Sequence, residues 1–148
     1  MLACVTVAGC TGSDSSNTTA PTQTVVNPTV TTPLTGTIPA PITGQPPPTT
    51  IVTFNSAATG SGSVTVTSAA ETLSNGSLFT GVQIGLVLGT GGVSNCVLPA
   101  GSTPFFTVAS PSALTANYTA GANCFVVSSG DQSATAGPVT FTLNVLAY

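Results

Sequence analysis

The sequence predicts an all-β fold: a two-sheet antiparallel sandwich, jelly-roll-like, of about eight strands, preceded by an extended Pro/Thr-rich segment. Three observations carry that expectation. Apolar residues alternate with polar ones at period two, as Val64 and Val66 do with Ser63, Thr65 and Thr67. The apolar members are mainly β-branched or aromatic, the types that suit a pleated, half-buried surface. Between these runs lie clusters of Gly, Asn and Pro, and no stretch long enough for a helix carries the helical period.

In chain order the strands are expected at residues 51–54, 63–67, 82–88, 93–98, 105–109, 113–118, 123–128 and 139–146. The first is a β-branched run closed by Phe54. The third sets Val82, Ile84, Leu86 and Leu88 against Gln83, Gly85, Val87 and Gly89. The last sets Val139, Phe141, Leu143 and Val145 against Thr140, Thr142 and Asn144. The remaining runs are short and apolar-rich, bounded by turn residues. Gly60-Ser61-Gly62, Asn75-Gly76, Gly89 to Gly92, Pro99-Ala100-Gly101, Ser110-Pro111 and Gly130-Asp131 supply the turns, because Gly and Asn tolerate positive φ and Pro presets φ at about −65°. One apolar face per strand requires a second sheet to cover it.

The 148 residues divide into a lipobox-like segment at 1–10, a Pro/Thr-rich linker or arm at 11–50, and the sandwich at 51–148. Residues 11–50 hold eight of the twelve prolines and thirteen threonines, with no aromatic side chain. Such a stretch buries too little apolar surface to offset its chain entropy. It reads as a disordered tail, as a semi-rigid stalk, or as an arm whose Val25-Val26 and Thr35-Gly36-Thr37-Ile38 pair with a neighbouring sheet edge. Val7-Ala8-Gly9-Cys10 resembles the lipobox of bacterial lipoproteins, where the signal is cut before a Cys whose thiol is acylated. That resemblance implies a diacylglycerol carried on the Cys10 thiol, which is in place before the signal is cut, with 1–10 a shortened signal that lacks a positive n-region. The competing reading is a buried or chance Cys.

With Cys4 removed in a signal and Cys10 acylated, Cys96 and Cys124 remain as an even pair within the sandwich. A disulfide between them implies export from the cytoplasm. Two separate buried thiols are the alternative; a zinc site lacks ligands, because the chain has no His and no carboxylate near the pair in sequence.

Ala120-Gly121-Ala122-Asn123-Cys124-Phe125-Val126-Val127 and Pro138-Val139-Thr140-Phe141-Thr142-Leu143-Asn144-Val145 resemble the closing strands of bacterial pre-peptidase C-terminal domains. Residues 63–67 and 81–88 resemble their earlier paired strands, so the resemblance spans 60–146. It implies a jelly-roll-like, non-catalytic module of secreted enzymes or surface lipoproteins. Gln83 and Gly85 stand where many members carry aspartates, so no acidic or calcium-binding role is carried over to that strand.

Charge sets the chemistry. The chain has no Lys, Arg or His and only three carboxylates, Asp14, Glu71 and Asp131. Nucleic-acid binding through phosphate neutralisation is therefore excluded, as is a His- or Lys-based dyad or triad. Glu71 and Asp131 read as two solvated loop charges, although two carboxylates suffice for glycoside hydrolysis in principle. Gly89-Thr90-Gly91-Gly92 lacks the Lys of a phosphate loop. No cofactor, metal site or catalytic residue is expected. Tyr118 and Tyr148 are the Tyr candidates for stacking a sugar, and one ring of Phe105-Phe106 must leave the core if that segment is a strand. Asn17, Asn75 and Asn117 begin glycosylation sequons.

The expected function is a non-catalytic module at the outer cell surface, exported and lipid-anchored, serving binding, adhesion or accessory roles toward a surface polysaccharide or protein. The mean hydropathy of +0.50 and the lack of charged edge residues raise an alternative. This is a self-associating extracellular fibre subunit whose N-terminal arm enters the next sandwich.

Overall fold

The computed structural model describes residues 29–110, 113–130 and 136–148. They form nine strands: β1 Val30–Ile38, β2 Thr49–Ser56, β3 Gly60–Thr72, β4 Leu78–Phe79, β5 Ile84–Thr90, β6 Phe105–Thr107, β7 Leu114–Tyr118, β8 Gly121–Ser129 and β9 Val139–Ala147. One sheet has the order β1-β9-β3-β4, with β7 also on β3; the other has the order β2-β8-β5-β6. Every pairing is antiparallel. The predicted all-β sandwich is therefore the fold, and among the described residues there is no helix.

Three differences from the sequence reading have physical causes. Residues 30–38 are not linker: β1 pairs along its whole length with β9, so the sandwich begins well before residue 51. The Pro/Thr-rich composition reads as linker, but β1 is an edge strand, where the missing N–H of Pro33 costs no ladder bond on the open side. Thr32, Leu34, Gly36 and Ile38 turn inward at period two, with Ile38 fully buried. Thr35-Gly36-Thr37-Ile38 thus pairs within its own chain; Val25-Val26 lies outside the described residues. Second, residues 93–98 form no strand. Gly91, at φ 109°, turns the chain, Asn95 Oδ1 accepts the Gly92 N–H at 2.6 Å, and a single Thr90–Val97 bridge closes the loop. Third, the two-residue β4 is added by the Asn75-Gly76 turn, in which Gly76 takes φ 81° and Asn75 Oδ1 accepts the Ser77 N–H.

The core is the space between the sheets. Val52, Phe54, Ile84, Leu86, Phe125 and Val127 from one sheet meet Val64, Val66, Tyr118, Phe141, Leu143 and Val145 from the other. At its centre Tyr118 presents its edge to Phe54, with ring centroids 4.9 Å apart, while Phe54 stacks on Phe125 at 5.7 Å. Edge-to-face and offset contacts of this kind add about 0.5–1.5 kcal/mol each beyond burial. The Tyr118 ring lies over Gly62, opposite Ala116 in the β3–β7 ladder. The β7–β8 turn is fastened by Asn123, which donates to Thr119 O and Gly121 O and accepts from Thr119 N–H and Oγ1. Asn123 is 1% exposed with all four side-chain hydrogen-bonding places used, so its burial is compensated.

A β-bulge decides the rest of β3. Its pairing with β9 shifts by one residue between Val66 and Ser68, leaving Thr67 as the extra residue. Before the bulge the even-numbered Val64 and Val66 face the core; after it the odd-numbered Ala69 and Glu71 do.

Gly62→Ala tests the close fit at the centre. A Cβ there would lie 2.5 Å from Tyr118 Cε2 and would also meet the Leu146 carbonyl. The expected result is a loss of about 1–3 kcal/mol in urea unfolding, the range for overpacked sites. Unchanged stability would show that the Tyr118 ring does not sit over β3.

Candidate functional site

The sandwich is closed on one side and open on the other. On the closed side β1 lies beside β2, joined by a Thr50 Oγ1–H bond to Thr37 O at 2.6 Å. On the other side the sheets end in the short strands β4, β6 and β7. Two concavities open there.

The first is an apolar cleft of about 340 Å³ that reaches the core beside β7. Val64, Leu86, Leu88, Phe105, Leu114 and Phe125 line most of it. Phe105 and Phe106 are both about half exposed, and they divide their labour across β6. Phe105 enters the cleft, while Phe106 and Pro104 cover Gly85 on the outer face of β5. Among the described lining residues Thr115 carries the one polar side chain.

The second, of about 350 Å³, has mixed chemistry and lies where β3, β4 and the start of β5 meet; Glu71, Phe79, Gly81, Val82, Gln83 and Gly130 line it. Glu71 and Phe79 stand directly opposite each other in the β3–β4 ladder. On its other side Glu71 pairs with Val139, whose side chain is in the core. Glu71 is 4% exposed, and its Oε1 accepts the Gly137 N–H at 2.6 Å. Such a charge-assisted bond fixes the carboxylate in place. Gly81 leaves room for the Phe79 ring tip, since a Cβ there would come 2.9 Å from Phe79 Cζ. The Gly130 N–H bonds to Gln83 O at 2.7 Å and holds the Gln83 segment against the end of β8.

The sequence-derived residues fare as follows. Cys96 and Cys124 are joined, with Cα atoms 5.9 Å apart. The 91–98 loop places Cys96 over β8, and Gly89 is small because Cys124 Sγ, Leu98 and the Val97 carbonyl all crowd its position. Cys10, Asp14 and Asp131 lie outside the described residues. Glu71 is not a solvated loop charge: it is buried on a strand, because the bulge reverses which residues face inward. Tyr118 is no sugar platform, being 1% exposed in the aromatic core, and the Tyr148 ring packs over Gly60. Phe79 was the residue missed. Its Leu78-Phe79 pair is too short for a periodicity, and only the Asn75-Gly76 turn pointed to a returning strand. Asn75 and Asn117 are both exposed.

Chemically the described residues offer one carboxylate, one amide and one ring at this second site, and no cation. No group of three His, Cys, Asp or Glu among them is placed to hold a metal ion. Among the described residues no helix is long and apolar enough to cross a membrane. Comparison with protein-family models, curated proteins and solved structures finds no match to this chain.

One buried polar atom is left over. Tyr118 Oη has no hydrogen-bond partner among the described residues, and burial pushes the phenol up from its ordinary 10.0 to about 12. A raised pKa in the folded state means that the Tyr118 contribution to stability is full below pH 10.0 and is lost as pH climbs toward 12. Tyr118→Phe removes the unpartnered hydroxyl while keeping the ring. The variant should match or exceed the parent by about 1 kcal/mol at neutral pH, and its alkaline loss should be smaller. A variant less stable at neutral pH by more than about 1 kcal/mol would reveal a hydrogen bond to Oη.

Proposed function

We propose that this chain is a non-catalytic binding module of the outer cell surface, exported through the secretory route and held to the membrane by an acylated Cys10. The observation that carries the reading is the Cys96–Cys124 disulfide, which joins the 91–98 loop to β8. Disulfides persist in oxidising compartments and are rare in cytosolic proteins. The Val7-Ala8-Gly9-Cys10 tetrad supports the anchor, and the Pro-rich stretch after it supports a spacer between membrane and sandwich. The spacer is shorter than the composition implied, because residues 30–38 belong to the first sheet.

The side chains present support the non-catalytic part of this reading. Ser and Thr hydroxyls need a base, and the chain has no His or Lys to act as one. The resemblance of residues 60–146 to pre-peptidase C-terminal domains supports an accessory role and rests on the strands quoted for it. The fibre reading loses part of its basis, since Thr35–Ile38 pairs with β9 of its own chain.

Mass spectrometry of the native N-terminus, with Cys10→Ser as comparison, tests the anchor. The expected species starts at Cys10 with a diacylglyceryl adduct and fractionates with membranes, whereas Cys10→Ser is released. A mature chain that retains residues 1–9 and carries no adduct would contradict the proposal.

A further inference from the structure

The pocket between Glu71, Phe79 and Gln83 has features that the proposed binding role leaves unassigned. We infer that it is a binding site for a neutral saccharide, seated on the Phe79 ring and held through its hydroxyls by Glu71 and Gln83. The inference rests on the binding-module reading and gives it a ligand class.

The ligand class follows from what the pocket contains and what the chain lacks. Its volume of about 350 Å³ falls at the lower end of ligand sites, which run from about 300 to 1,000 Å³. Phe79 is 51% exposed on a two-residue strand and lines the pocket, which suits an apolar contact with the C–H face of a sugar. Glu71 accepts hydrogen bonds but donates none when ionised, whereas the Gln83 amide does both. Hydroxyls, each a donor and an acceptor, match that pair. A carboxylate has about four lone-pair places, and the Gly137 N–H at 2.6 Å occupies one of them. That bond also pre-sets the Glu71 orientation, so less ordering is needed when a ligand arrives.

The alternatives fit less well. Phosphorylated or carboxylated sugars need cations, and the chain has neither Lys nor Arg and a net charge of −3. Calcium takes about six to eight oxygens, commonly with several carboxylates, and among the described residues that line the pocket Glu71 is the one carboxylate. A quaternary ammonium group prefers a cage of several rings, and Phe79 is the only ring here. The bulge at Thr67 gains a reason as well. Without it Glu71 would point to the outer face of the sheet, and the pocket would have no acceptor.

The test uses the oxidised full-length chain in saturation-transfer NMR and calorimetry with gluco-, manno-, galacto- and xylo-oligosaccharides. Choline and calcium chloride are separate probes. At least one neutral series should bind, with little change in affinity between about 0.05 and 0.5 M salt because no ion pair is involved. Phe79→Ala should weaken binding about tenfold, the scale of a lost ring contact. Gln83→Ala and Glu71→Gln should each weaken it several-fold, and Glu71→Gln keeps an oxygen for the Gly137 N–H, so the fold survives. Val93→Ala, exposed on the 91–98 loop, should bind as the parent does. The site is refuted if no neutral series binds, if Phe79→Ala and Gln83→Ala bind unchanged, or if choline or calcium binds in place of sugar. Those results leave the Cys10 anchor standing. Recovery of cleaved oligosaccharide would instead uphold the sugar site and overturn the non-catalytic reading.

Discussion

A chain without Lys, Arg or His has no side-chain cation, so no side-chain ion pair can help hold its fold. Stability has to come from apolar burial, backbone ladders and covalent closure. The two sheets meet that constraint by interleaving their inner faces around Phe54, Tyr118 and Phe125. Tyr118 reaches this cluster only because Gly62 offers no side chain beneath its ring. The disulfide adds a second kind of closure on the outer face. It pins the 91–98 loop to β8, next to the position of Gly89 on β5. Both faces of β5 are thereby covered, which agrees with its almost uninterrupted burial from Ile84 to Gly89.

The same economy shapes the open side of the sandwich. With β4, β6 and β7 each short, the sheets do not cover one another fully there, and two concavities with different chemistry result. The apolar cleft beside β7 is an extension of the core. The Glu71 pocket exists because one extra residue, Thr67, reverses the facing of the last residues of β3. A carboxylate that simple alternation would give to solvent is turned inward and tied to Gly137. Bulges near sheet edges commonly re-aim side chains in this way.

Most of the sandwich was legible in the sequence because its central strands alternate cleanly. The runs at 63–67, 82–88, 123–128 and 139–146 each lie within or overlap an observed strand, and the Cys96–Cys124 bridge is the pairing expected if Cys4 is cleaved and Cys10 acylated. What escaped had specific causes. β1 was hidden by Pro33 and by the surrounding Pro/Thr composition, which describes a linker unless the open side of an edge strand is considered. Residues 93–98 have strand-like composition, but Gly91 and the Asn95 cap fold them into a loop. The candidate site was not legible. Glu71 faces inward through a register shift that no single-strand pattern encodes, and Phe79 belongs to a strand of two residues.

Covalent closure is a major support of a fold that has no side-chain cation to form ion pairs. Closing a loop of 28 residues stabilises by about 3–4 kcal/mol in the chain-entropy picture. Equilibrium urea unfolding of the oxidised chain and of the Cys96→Ala/Cys124→Ala chain measures that contribution directly. The account predicts a drop of about 3–4 kcal/mol in unfolding free energy on losing the bridge. Equal stability of the two chains would contradict it.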